Sequence, residues 1–159
     1  MIAAVLLIAA GLVSCEPDKA CRQDMTVTAG VGLRGLYIDT ADVVTEFSGW
    51  DSITVQGVGN DSVLYDNSKL VSQLQLPLRN DTDLTAYTLT YHGTEDKLYF
   101  HHDNTMRFVS MACGCIIYHQ IDSVWCEGTW IDSVKIINSA VEGIVQENVK
   151  VYLTLKIEN

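Results

Sequence analysis

Five cysteines and four histidines are the side chains of this 159-residue sequence best suited to chemistry. The segment "SMACGCIIY", Ser110 to Tyr118, sets Cys113 and Cys115 one residue apart in a run that otherwise reads as a strand. Thiols so placed offer a soft metal site completed by Cys126 and a histidine such as His119, a redox pair, or two halves of separate staples. Structural zinc sites usually space their cysteines by about two to four residues, which "CGC" does not. Two carboxylate pairs, Asp81 with Asp83 and Glu95 with Asp96, would suit acid–base work. They close in polar turns, where solvation is the simpler reading, and "NDTD" lacks the spacing of a calcium loop. Four Asp-Ser pairs begin at Asp51, Asp61, Asp122 and Asp132, each before Ile or Val. Without a GxSxG elbow they read as turn-to-strand punctuation, because short polar side chains bond to the local backbone. His92, His101, His102 and His119 fall near strand ends or at alternate positions and are assigned no role. Trp50, Trp125 and Trp130 lie near turns and either present a glycan or protein contact or cap the ends of the core.

Which cysteine chemistry applies depends on the compartment, and the first residues address it. Ile2 to Ser14, "IAAVLLIAAGLVS", carries no charge and one polar side chain. As a helix it would cover ~20 Å of a hydrocarbon core about 30 Å thick, too little to span. It suits the apolar core of a secretory leader, and "LVSC" places a small residue before Cys15 as a lipoprotein leader does. Residues 1–14 are therefore expected to be a signal peptide, with Cys15 lipidated by long chains such as palmitate. Three acyl chains, each worth about 0.8 kcal/mol per buried methylene, make such attachment effectively permanent. Residues 15–23 then form a short tether and residues 24–159 one domain, large enough for a real core.

Ten Lys and Arg against twenty Asp and Glu give a formal charge of −10, all of it after the leader. Nucleic acid is thereby an unfavoured partner, since phosphate backbones are bound by clustered Lys and Arg. After Asp24 the apolar pattern has period two, as in "MTVTAGVGL", "SITVQGV", "SQLQLPL", "YTLTY", "DKLYFHH", the run Arg107 to His119, "WIDSVKII" and "NVKVYLTLKI". Turn-rich stretches such as "FSGWDS", "GVGNDS", "RNDTD", "HGTED" and "HDNT" separate them. The spacing predicts an all-β fold, an antiparallel β-sandwich of about seven or eight strands, with a closed β-barrel as the alternative.

With Cys15 acylated, four thiols remain for an oxidising compartment, Cys21, Cys113, Cys115 and Cys126, and are expected to form disulfides. At i and i+2 of a strand, Cys113 and Cys115 would sit about 7 Å apart and should not pair with each other. Cys21 then takes one of them and Cys126 the other.

The segments "SVLYDNSKLVSQLQLPLRNDTDLTAYTLTY", "RFVSMACG", "WIDSVKIINSAV" and "ENVKVYL", in that order, resemble a family of small Bacteroidota lipoproteins catalogued as domain of unknown function 6452. The likeness runs from Cys15 to about Leu153, and "FVSMACG" is its most specific part. It implies a lipid-anchored envelope protein with no established activity, ligand or catalytic residue to carry over. Its recurring cysteines match Cys15, Cys21 and Cys113, which favours Cys21 with Cys113 and leaves Cys115 with Cys126. The resemblance also associates acidic residues after the lipidated cysteine, here Glu16 and Asp18, with surface export. The expectation is a protein anchored to the bacterial outer membrane, on its periplasmic or cell-surface face, serving as a noncatalytic binding or envelope-structural module. Its partners would be the membrane through the anchor and an envelope protein or glycan, with no cofactor and no metal. The alternatives are a secreted carboxylate-dependent enzyme and a metal-binding domain.

Overall fold

The structure, a computed structural model, describes residues 26–38, 44–60, 62–143 and 145–156. Eleven strands follow in chain order: β1 Thr28–Ile38, β2 Val44–Ser48, β3 Ile53–Gly57, β4 Val63–Ser68, β5 Gln73–Pro77, β6 Leu84–Tyr91, β7 Thr94–Ser110, β8 Gly114–Glu127, β9 Ser133–Ile136, β10 Ala140–Val141 and β11 Val149–Lys156. One sheet has the order β2-β1-β11-β9, with β5 pairing β1 beside β2, and the other runs β10-β8-β7-β6-β3-β4. The protein is all-β, and its two sheets pack as a sandwich rather than closing into a barrel. One pair departs from the antiparallel expectation: β1 and β11 run parallel, from Val31 opposite Val149 to Ile38 opposite Lys156. Parallel neighbours need a long crossover, and here the nine strands between them supply it.

Period-two patterning explains the core. Val27, Ala29, Val31 and Leu33 of the β1 region face Leu74, Leu76, Ile53, Val55, Leu89, Leu98, Phe100, Val149 and Val151 in one buried cluster. Two outward positions of β1, Gly30 and Gly32, are glycines for a steric reason. A Cβ on Gly30 would lie 1.9 Å from the Gln146 carbonyl oxygen, and one on Gly32 would strike the Glu147 carboxylate. The segment across this face is clasped by buried Asn148. Its Oδ1 accepts the Gly30 N–H at 3.0 Å, and its Nδ2 donates to the carbonyls of Asn138 and Ala140 at 3.0 and 2.8 Å. Every buried polar group of that side chain is thus paired.

A second buried anchor is Asp96 of β7, the carboxylate set beside Glu95 as a candidate acid. Its Oδ1 accepts the Thr129 N–H at 2.7 Å and its Oδ2 those of Trp130 and Ile131 at 2.9 and 2.8 Å. This makes Asp96 a structural acceptor that folds the β8–β9 loop against the sheet. Gly128 permits the approach: its φ is +150°, and a Cβ there would fall 1.8 Å from Asp96 Oδ1. The loop delivers Trp130 into a cluster with Trp50 and Tyr91, with ring centroids 5.3 to 5.6 Å apart. Trp50 and Trp130 are buried and cap the core. Of the three tryptophans only Trp125 is exposed, stacked on Tyr99 at 5.1 Å.

Asp96→Ala is expected to leave three main-chain donors unpaired and to cost about 3 kcal/mol or more. Urea unfolding followed by tryptophan fluorescence measures it, and a midpoint equal to wild type would show that the carboxylate does not hold the loop.

Candidate functional site

The longest paired elements, β7 and β8, form a hairpin whose far part stays against the body through buried Ile116 and half-buried Val109 and Tyr118. Register runs from Lys97 opposite Glu127 to Ser110 opposite Gly114. From Asp103 to Phe108 every residue of β7 is exposed, whereas Ile116 and His119 across the ladder are buried. The tip is a turn at Met111–Cys113. There Ser110 Oγ accepts the Cys113 N–H at 3.0 Å, and Gly114 takes φ +71°, a conformation suited to glycine. The run Arg107 to His119, expected to be a single strand, therefore folds back on itself. The "HDNT" stretch, expected to turn, instead continues β7. Asp122 and Ser123, also read as punctuation, lie within β8. Asp122 there occupies a register shift opposite His101 and His102.

This hairpin corrects the expected pairing of Cys115 with Cys126. Cys113 sits in the turn, not on a strand facing Cys115. Cys115 and Cys126 are both free thiols, one exposed and one half-buried, so the expected disulfide between them is absent. The reason is geometric. Both belong to the single strand β8, and eleven steps of about 3.4 Å separate them by ~37 Å. The same separation removes them as joint ligands of a metal, and no group of three or more His, Cys, Asp or Glu side chains suited to a metal occurs among the described residues. No two cysteines are joined among the described residues. Cys113 does not carry a titrating thiol. Cys15 and Cys21 lie outside the described residues, so the lipidation site and the expected partner of Cys113 do too.

At the base of the hairpin a polar network crosses the sheet. Asn104 Nδ2 donates to the carbonyls of Arg79 and Thr82 at 3.2 and 2.8 Å, which turns its Oδ1 toward both buried histidines. His102 Nδ1 lies 2.9 Å and His119 Nδ1 2.7 Å from that oxygen. An acceptor shared by two nitrogens requires both to carry hydrogen, so both rings are Nδ1–H tautomers. Thr85 Oγ1 accepts the Arg79 N–H at 2.9 Å and its hydroxyl donates to His102 Nε2 at 2.8 Å. His102 is thereby fully occupied. His119 keeps Nε2 without a hydrogen bond among the described residues. It borders a cavity of about 250 Å³ whose walls include Val27, Pro77, Leu78, Cys115 and Ile117. Four positions apart on one strand, Cys115 and His119 are ~13 Å from each other, too far for proton transfer.

Sequence reasoning left these histidines without a role. No motif spacing marks them, because Asn104, His102 and His119 meet only through the hairpin register. The exposed charges are arranged otherwise. Arg79 holds Asp81 through contacts of 3.0 and 2.7 Å and lowers its carboxyl from the usual value. His101 stands between Asp122 at 3.2 Å and Asp83 at 3.9 Å. Neither arrangement converges with a nucleophile.

Burial, and then the neighbouring His102, depresses His119 from an ordinary 6.5 to about 4, and His102 is lowered chiefly by burial. A histidine whose folded pKa is depressed favours the neutral form in the folded state. The unfolded chain therefore takes up protons first as pH falls below about 6.5. The histidine contribution to stability is expected to be complete above pH 6.5 and to decline toward pH 4. Thermal melts across that window measure it, with a His119→Leu variant showing a shallower decline. For the thiols, exposed Cys115 is expected to react with maleimide faster than Cys126, whose thiol is pushed up first by burial and then by Asp96. Peptide mapping after brief labelling checks the order.

No curated protein and no solved structure matches the chain. A family model does, over residues 52–153, well over half of the sequence and from the turn before β3 into β11. The span includes the whole β7–β8 hairpin with its "FVSMACG" tip, whereas the resemblance read from the sequence began earlier, at Cys15. The chain belongs to the family of unknown function DUF6452.

Proposed function

We propose that this chain is a lipid-anchored cell-envelope protein, of the bacterial outer membrane, whose sandwich is a noncatalytic binding or envelope-structural module. The leader-like segment before "LVSC" and Cys15 supports the anchor. The single observation that carries the binding role is the way the hairpin divides its side chains. Titratable groups at its base are spent on fold-specific hydrogen bonds, while its far end presents Met106, Phe108 and Met111 at 67%, 65% and 94% exposure. Large apolar side chains exposed together near one hairpin turn mark an interaction surface. A net charge of −10 supports a partner other than nucleic acid, leaving the membrane and an envelope protein or glycan.

The anchor is tested by mass spectrometry of Cys15 from membranes, with and without an inhibitor of lipoprotein signal peptidase. An acylated cysteine at the mature N-terminus, and retention of the leader under inhibitor, are the expected results. A cytosolic chain with an unmodified Cys15 would end the proposal. For the module, a cross-linked complex isolated from intact cells is expected to lose its partner when Phe108 and Met111 are changed to Ser. An unaffected complex would move the binding role off the hairpin.

A further inference from the structure

We infer that the tip of the β7–β8 hairpin is a second membrane contact, entering the headgroup–acyl boundary of the bilayer through Met106, Phe108 and Met111. The inference rests on the lipid anchor proposed above and names what the hairpin meets.

Three observations converge on a lipid surface. The first is the apolar face itself. Met106 lies opposite Ile117 and Phe108 opposite Cys115, so these four side chains share one face of the ribbon, and Met111 is exposed in the turn that follows. The second is charge. From Asn104 to Ile121 the sequence holds no Asp or Glu and a single Arg, although the chain as a whole has twenty acids against ten bases. An acidic body is repelled by anionic headgroups, so this acid-free end is the part that can approach them. Arg107, the one cation of this stretch, lies 5.0 Å over the Tyr118 ring and pairs at 3.4 Å with Glu142 beside the hairpin, so the stretch carries little net charge.

The third observation is where the chain enters the fold. Thr26 borders the same cavity as Cys115, Ile116 and Ile117, at the root of the tip. From Cys15 to Thr26 there are eleven steps, at most ~40 Å even fully extended. A chain fixed to lipid at Cys15 therefore enters the fold on this side, within that distance of the bilayer. Soft, unbranched methionines and a phenylalanine suit shallow insertion into a mobile boundary, where apolar area is the main source of binding.

The test uses the full acylated chain in vesicles of phosphatidylethanolamine and phosphatidylglycerol containing a phospholipid with a diazirine in its acyl chain. After irradiation, adducts are mapped by mass spectrometry. Adducts within residues 104–121, with none on the exposed Trp125 surface, are the expected result. In a variant carrying Met106→Glu, Phe108→Glu and Met111→Glu these adducts should be lost, with circular dichroism unchanged and flotation with vesicles retained. Flotation together with an unlabelled hairpin would overturn the inference while leaving the anchor intact. Hairpin labelling that survives the triple substitution would also overturn it. A chain that neither floats nor carries acyl groups would end the anchor and the inference together.

Discussion

The antiparallel pairing of β7 with β8 is the constraint on which the rest of this molecule depends. It is the longest ladder in the structure, and a slip of one residue would exchange its faces. That register brings Asn104 level with His119, so that one amide oxygen serves two buried imidazoles. It also sets exposed Met106 and Phe108 on one face of the ribbon near its turn. Base and tip are consequences of one alignment.

The body supports this ladder through polar side chains that tie loops to strands. Asp96 gathers three main-chain donors from the loop after β8, and Asn148 joins the segment before β11 to Gly30. Both are buried, and both match all of their surroundings' donors or acceptors, which is what makes burying them tolerable. The parallel contact of β1 with β11 then joins the first described strand to the last. The hairpin is thus carried by a frame fixed at both ends of the domain.

Much of this frame was legible in the sequence. Alternation alone identified the inward positions Val27, Ala29, Val31 and Leu33, and likewise Leu74, Leu76, Leu98, Phe100, Val149 and Val151, because one buried face imposes period two. What alternation could not supply was the place where a ladder turns. The tip lies inside an apolar run and is made by Ser110 and Gly114, while the polar "HDNT" stretch stays extended because Asn104 and His102 bond across the sheet instead of to their own backbone. Asp122 misled in a similar way: its position is a bulge, where a short polar residue is tolerated within a strand. The expected pairing of Cys115 with Cys126 failed for the same reason, since a hidden turn before Cys115 makes everything to Cys126 one strand. Asp96, read beside Glu95 as a solvated turn residue, is buried because Gly128, more than thirty positions later, allows a loop to come within reach.

The most direct test of the account is the distance between Cys115 and Cys126, the two free thiols at opposite ends of β8. Spin labels on both sulfurs, measured by double electron–electron resonance, are expected to report a distribution centred near ~37 Å, the length of eleven extended residues. A distance below about 15 Å, short enough for the two sulfurs to lie in one staple or one metal site, would contradict the continuous strand and with it the hairpin, its histidine base and its exposed tip.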